Sequence, residues 1–339
     1  MAQAGRSGEG VLVVGAGLAG AALAWLCARA GKPTALVSVD RPASQATAMS
    51  AGIVRGVGPP GAAIEWGNVS NEALALAAQR VERGCELLRE ALLGSGAPVG
   101  FTRRPHAIVL AEDADPAWLA RVERSLVGAG YPTRLTRTTD GRPALVRERD
   151  AVVHPRRLAF ELLRLARACG ASVRLGTALR RIVETDGDGL LVDLDDGPCR
   201  VSRLLWAGGR PLPGDPGRPQ ARTQIVLHQL FDAGREQLET IYEGGEGDLM
   251  LSPAPLRPGQ VVLVRVAKES SAGGLSWPDP PRAWEVHRGM ALRQRLAEVY
   301  AGPAEFPLGG DGRVLSLSGL SGWPVSAVIG LCQEAAEHH

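Results

Sequence analysis

The sequence predicts an α/β chain: one doubly wound, Rossmann-like parallel sheet joined to a second, α+β unit built on a mixed or antiparallel sheet. Three observations carry that reading. The chain has 339 residues, enough for about two domains. It opens with an apolar strand, a glycine turn and an apolar helix, VLVVGAGLAGAALAWLCARAG. From residue 223 to 268 its apolar runs are short, strand-like and suited to a second sheet.

Hydrophobic residues make up 45% and charged residues 22%, while the formal net charge is only +2. That balance excludes a disordered chain and offers no electrostatic surplus for nucleic acid or an anionic membrane, so a small-molecule partner is expected. The five cysteines (Cys27, Cys85, Cys169, Cys199, Cys332) form no CxxC pair and no metal-ligand spacing with the six histidines. Neither a disulfide framework nor a metal site is expected, and a reducing, cytoplasmic setting fits best. His338 and His339 are as compatible with a trimmed tag as with a native end and take no role. A homo-oligomer remains open.

The elements follow in order. Val11 to Ala28 is apolar enough to resemble a membrane span, but its β-branched first half, the glycines at 15, 17 and 20 and the alanines that follow read as buried strand, tight turn and buried helix. PTALVSVD is a second strand, and residues 41–62 form a Gly/Ser/Ala/Pro loop. Asn71 to Leu93 carries apolar residues at three- and four-residue intervals, an amphipathic helix with a weak point at Gly84. Residues 96–153 read as short strands around the helix PAWLARVERSLVGAG. HPRRLAFELLRLARACG is a helix with proline in its first turn and glycine after its last. ASVRLG, GTALRRIVET, DGLLVDLDDG and RVSRLLWAGG read as successive strands, residues 211–222 as a linker, and TQIVLHQLF, GDLMLS and QVVLVRVA as strands of the second sheet. PRAWEVHRGMALRQRLAEVY (281–300) is expected to be helical, and the end reads as strand, glycine loop and helix. The expected boundaries are 1–93, 150–215 and 308–339 for the dinucleotide-binding domain, with 94–149 and 216–307 forming the substrate domain.

In Gly15-Ala16-Gly17-Leu18-Ala19-Gly20 the first glycine permits the turn, the second lets backbone approach a pyrophosphate and the third allows close helix-to-strand packing. Free N–H groups and the positive dipole end of the helix then hold the phosphates without a lysine.

Five segments in order resemble the family of FAD enzymes that includes D-amino-acid oxidases, glycine oxidases and sarcosine oxidases. They are the opening unit; ASQATAMSAGIVRG (43–56); the helix and strand leading to Leu179; LLWAGG (Leu204 to Gly209); and GLSGWPVSAVIG (Gly319 to Gly330). The resemblance implies a glutathione-reductase-type flavoprotein with FAD as cofactor. It places Gly15, Gly17, Leu18, Ala19 and Gly20 at the pyrophosphate, and Ser44, Ala51, Gly52 and Ile53 on the path to the flavin ring. It puts the Leu179 backbone at adenine, Ala207 and Gly208 beside the flavin, and Gly319, Ser321, Gly322, Trp323 and Pro324 in the last flavin loop. A helix starting near Pro324 would point its positive end at a reduced flavin.

The chain departs from the family pattern in two places. Where the family has a ribose-binding glutamate, counting from Gly15 gives Ser38, with Asp40 and Arg41 just beyond. Asp40 substitutes for the glutamate from a slightly shifted strand end, or Ser38 and backbone hold the ribose, or Asp40 is only a solvated turn residue. The family's Arg-Pro segment, whose arginine grips the substrate carboxylate, is missing between RQRLAEVYAGP and SGLSGWP. Other groups must then orient an acid. Arg55 follows the flavin segment, Arg265 interrupts the strand VVLVRVA, and Tyr242 lies where relatives place a tyrosine over the substrate. Each has a plain alternative: a loop cation, the polar face of a strand, a packing aromatic. His228 reads as structural, and Arg164 and Arg167 as solvated helix faces.

The resemblance implies oxidation of the C–N bond of a small amine or amino acid by hydride transfer to flavin N5, hydrolysis of the imine, and reoxidation by O2 to H2O2 or by another acceptor. Rival readings are an FAD oxidoreductase with a substrate that is not an amino acid, a catalytically silent FAD-binding interaction subunit, and a nicotinamide dehydrogenase.

Overall fold

The computed structural model describes residues 10–54, 71–110, 112, 114–138, 141–184, 189–209, 212, 222–232, 240–244, 249–256, 259–269, 275–276, 293–301, 308–309, 312–317, 320 and 323–337. The opening apolar run is β1 (Val11–Val14) and α1 (Leu18–Arg29), both buried. β2 (Thr34–Ser38), the single turn α2 (Ala46–Met49) and β3 (Ile53–Val54) follow, then the long helix α3 (Asn71–Ser95). β4 (Thr102–Arg103), β5 (His106–Val109), β6 (Thr133–Arg137), β7 (Pro143–Arg147) and β8 (Ala151–Val152) surround α4 (Pro116–Gly128) as expected. α4 starts at Pro116 with the Asp115 carboxylate accepting from the Ala117 N–H at 2.9 Å, a standard N-terminal cap. α5 (Pro155–Ala168) likewise opens on its proline.

Next come β9 (Ser172–Leu175), β10 (Leu179–Glu184), β11 (Leu190–Leu194), β12 (Gly197–Val201) and β13 (Arg203–Trp206). The run RVSRLLWAGG, expected as one strand, is two. Ser202 interrupts it: its N–H and its hydroxyl both donate to the Gly10 carbonyl, at 2.9 and 3.0 Å. β12 therefore closes a small antiparallel sheet with β10 and β11, while β13 joins the main sheet.

β14 (Arg222–Asp232), β15 (Ile241–Gly244), β16 (Leu249–Pro253), β17 (Gln260–Val266), β18 (Lys268–Glu269), β19 (Leu275–Ser276), β20 (Arg293–Ala301), β21 (Leu308–Gly309), β22 (Val314–Leu317) and α6 (Val325–Glu337) complete the chain. β20 overturns the expected helix over 281–300, whose first twelve residues lie outside the described ones. Residues 293–301 pair antiparallel with β14 from Arg222↔Ala301 to Leu230↔Arg293, and this non-local ladder overrides the helical spacing of the apolar residues.

The main sheet has the order β21-β22-β13-β1-β2-β9, parallel except for its β21 edge. A larger sheet has the order β20-β14-β17-β16-β15-β5-β7-β6. The principal core joins α1 to α3, α5 and α6, with Leu23, Leu87, Leu158 and Leu331 fully or almost fully buried. Among the described residues no helix is long and apolar enough to cross a membrane, and no cluster of His, Cys, Asp and Glu could hold a metal ion.

Candidate cofactor and substrate site

Strand order in the main sheet reverses at β1, which has β2 on one side and β13 on the other. Such a switch opens a crevice at the carboxyl ends of the strands. The Gly15 N–H donates to the Val37 carbonyl and the Ala207 N–H to the Val14 carbonyl, both at 2.8 Å, fixing the rim. Gly15 has φ +106°, and a Cβ there would fall 2.4 Å from the Ala207 carbonyl oxygen. A Cβ on Gly20 would fall 1.8 Å from the Gly15 carbonyl oxygen. Only glycine lets the first turn of α1 sit this close to β1.

Gly17 caps α1 with no side-chain hydrogen bond, and the first turn carries no acid. The Leu18 N–H donates to Thr47 Oγ1 at 3.0 Å. The remaining positive character of this helix end is turned to the crevice, where Gly17, Leu18 and Ala19 form part of the wall.

The crevice is a cavity of about 990 Å3 with its open mouth included. Of the residues expected at a cofactor, Gly15, Gly17, Leu18, Ala19, Ser38, Asp40, Arg41, Ser44, Ala207, Gly208 and Trp323 line it. Gly20 lies just behind the wall. Ser38 is anchored, its hydroxyl donating to the Asp40 carbonyl at 3.2 Å and its own carbonyl accepting from Gly176 and Thr177. The Asp40 carboxylate is likewise held, accepting from Gln45 Nε2 at 2.6 Å. Ser50, named by the sequence at the end of the segment 43–56, also lines the cavity, as do Gln45, Ala46 and Thr47, which fall within that segment but were not singled out.

Other expected residues stand elsewhere. Ala51 and Ile53 are buried against Val152 and Ile241, and a Cβ on Gly52 (φ +73°) would fall 1.9 Å from the Val153 carbonyl oxygen. These three pack the segment in place rather than line the cavity. Leu179 packs against the core cluster that includes Leu12, Val14 and Val37 and is not part of the wall. Pro324 precedes α6, its carbonyl accepting from the Val328 N–H at 3.1 Å. Arg55, Gly319, Ser321 and Gly322 lie outside the described residues.

Tyr242 and Arg265 are separated from the cavity by the sheet that carries them. Ile241, Met250 and Val264 pack toward Ala51 and Ile53, and Val226, Val264 and Val266 toward Met49 and Ala46. Side chains alternate along a strand. Tyr242 therefore faces the other way, onto Val109, Phe231, Leu251 and Leu263, and Arg265 shares that far face opposite Leu249 and Leu227. The structure does not bring these two to the cavity.

On the near face, one fully buried charge network ties β5, β7 and β15 together. His106 Nδ1 lies 2.9 Å from Asp150 Oδ2 and His106 Nε2 lies 3.1 Å from Glu243 Oε2, while Arg147 Nη2 lies 2.9 Å from Asp150 Oδ2. Burial and the Arg147 charge work against a proton on His106, but its hydrogen bond to Asp150 and the Glu243 carboxylate outweigh them and raise its pKa above the ordinary 6.5.

Residues 10–337 match the DAO family, described as FAD dependent oxidoreductase. Solved structures with the same fold include a glycine oxidase from Geobacillus kaustophilus (16% identity, covering 98% of this chain and 95% of that one, TM-score 0.76). An L-proline dehydrogenase from P. horikoshii is similar (12% identity, 98% and 93%, TM-score 0.75). So is the dithionite-reduced L-α-glycerophosphate oxidase from Mycoplasma pneumoniae with FAD bound (13% identity, 98% and 95%, TM-score 0.74). No curated protein matches in sequence. The cradle suits the dinucleotide cofactor on which the family depends: a helix N-terminus with no acid in its first turn, glycines at 15 and 20 where a Cβ would meet backbone, and a cavity running on to Ala207 and Trp323.

Proposed function

Because this chain belongs to the DAO family of FAD-dependent oxidoreductases, we propose that it oxidises the C–N bond of a small amine or amino acid. The observation that carries this reading is the position of Ala46, which lines the cofactor cavity and also packs with Met49 against the near face of the large sheet. A substrate held there would lie between cofactor and sheet. Bound FAD supplies the hydride acceptor, and the oxidised substrate, an imine, is hydrolysed by water. The chain's own part is to hold and to exclude. With FAD bound, the α1 N-terminus would hold its pyrophosphate, and Ser38 and Asp40, which line the same cavity, would be the partners for its ribose hydroxyls. Met49, Val226, Val264 and Val266 give the reacting carbon an apolar wall that keeps bulk water out. The reduced cofactor would be reoxidised by O2, giving H2O2, or by another acceptor. The names of two structural neighbours, a glycine oxidase and an L-proline dehydrogenase, agree with an amine substrate. Five free cysteines agree with a reducing, cytoplasmic setting.

The test is anaerobic. Purified protein is expected to be yellow, and one or more of glycine, D- and L-amino acids, sarcosine and proline should bleach its flavin absorption. A yellow protein that no amine bleaches would remove the amine reading and leave the FAD reading intact.

A further inference from the structure

Among the described residues, the near face of the large sheet also carries a basic cluster with no acid paired to it. Pairing of β14 with β17 and β20 sets His228 opposite Val264 and Arg295, with Arg293 one residue pair along the same face. This is the face that covers Met49 of α2, and β14, β20 and α5 all touch that turn. Arg156, in the first turn of α5, completes the cluster. Burial and then the Arg293 and Arg156 charges lower the Arg295 pKa. Burial, then Arg295, push the His228 imidazole down to about 4, with Arg293 and His154 adding to the effect. His228 Nδ1 and Arg156 Nε are buried without a hydrogen-bond partner. Among the described residues none of Arg156, Arg293 and Arg295 has an ion-pair partner.

Like charges gathered at a partly buried surface repel one another and favour an anion between them. A guanidinium takes a carboxylate bidentately. Three guanidiniums around a neutral imidazole leave excess charge even after one carboxylate has bound. We propose that Arg156, Arg293, Arg295 and His228 bind the acid end of the substrate, and that this substrate is an amine carrying two carboxylates. The inference rests on the amine-oxidation reading for its reaction and on the cluster alone for its charge. It also supplies what the missing Arg-Pro segment leaves open, because the cluster comes from β14, β20 and α5 rather than from the chain ahead of the last loop.

The experiment titrates flavin-loaded protein with malonate, acetate and inorganic phosphate, following the flavin spectrum and the heat of binding. Malonate cannot be oxidised as an amine, so its binding is independent of turnover. Malonate is expected to bind at least tenfold tighter than acetate. Arg295→Gln and Arg156→Gln, on separate elements, should each weaken it tenfold or more with FAD content unchanged, while Arg167→Gln at the far end of α5 should leave it as it was. Malonate binding no tighter than acetate, phosphate binding tighter than malonate, or indifference of malonate to both cluster variants would each overturn the proposal. Bleaching by a monocarboxylic amino acid in a protein that ignores malonate would sink this inference alone. Malonate binding in a protein that no amine bleaches would sink the amine reading and keep the anion site.

Discussion

Gly84 of α3 and Ser326 of α6 hold their helices at backbone contact, for a Cβ on Gly84 would fall 1.8 Å from the Ser326 carbonyl oxygen. The contact is reciprocal, since a Cβ on Gly330 would fall 2.1 Å from the Arg80 carbonyl oxygen. Sequence alone marks Gly84 as a weak point of its helix, and by propensity Gly84→Ala should gain about 1 kcal/mol. Overpacking opposes that gain with about 1–3 kcal/mol, and here the obstacle is backbone that cannot rotate aside. Gly84→Ala is therefore expected to lower Tm by a few degrees in a thermal melt; an unchanged or raised Tm would mean that the helices do not meet here.

A second prediction concerns pH. His106 has a folded-state pKa above its unfolded value, so its contribution to stability is fully present below about pH 6.5 and is lost as pH rises through the folded value. Protonated His106 and Arg147 balance Asp150 and Glu243, all four buried, and the set is neutral only while the imidazole is charged. Denaturant midpoints should fall as pH rises above 6.5. His106→Gln should remove that slope and, by leaving two buried carboxylates with a single cation, cost about 3–5 kcal/mol. A slope of the same size in the variant would show that another group titrates.

Thiol reactivity should divide the cysteines. Burial raises the Cys27 thiol to about 11 and raises Cys332 further, and neither presents surface to reagent. Cys169, just past the end of α5, is exposed. A thiol-reactive dye at neutral pH is expected to label Cys169 quickly and Cys27 and Cys332 only on unfolding, as mapped by peptide mass spectrometry. Rapid native labelling of Cys27 would contradict the packing of α1.

The cradle was legible in the sequence because its determinants are local. Gly15, Gly17 and Gly20 sit on one strand-turn-helix unit, and Ser38 and Asp40 fall at the end of the adjacent strand. The substrate side was not legible. Which face a strand residue occupies depends on parity, and one step in register moves it through the sheet. Tyr242 and Arg265 were chosen from position along the chain, whereas their facing is set by pairing of Ile241 with His106 and of Arg265 with Leu227 and Leu249. Arg293 and Arg295 were hidden for another reason. Leu292, Leu296 and Val299 repeat at helical spacing, and only the distant partner β14 makes that stretch a strand. His228, read from the sequence as structural, gains its charged surroundings through the same pairing.

The cradle itself separates cofactor binding from folding. At Gly17, which lines the cavity, φ is −73° and an added Cβ meets only Thr47 Oγ1, at 3.3 Å, a side-chain atom that can shift, so the fold loses little. At Gly20 the added Cβ meets backbone at 1.8 Å, which no rotamer relieves. Gly17→Val is expected to give a folded protein of near-normal apoprotein stability whose FAD content falls at least tenfold, because the isopropyl group occupies the approach to the helix N-terminus. Gly20→Val is expected to lose FAD and fold together, since it forces α1 away from β1. The pair is read by flavin absorbance per mole of protein alongside circular dichroism. A yellow, fully loaded Gly17→Val protein would place the pyrophosphate away from this helix end, and a Gly20→Val protein that folds normally would show that the close approach of α1 to β1 is dispensable.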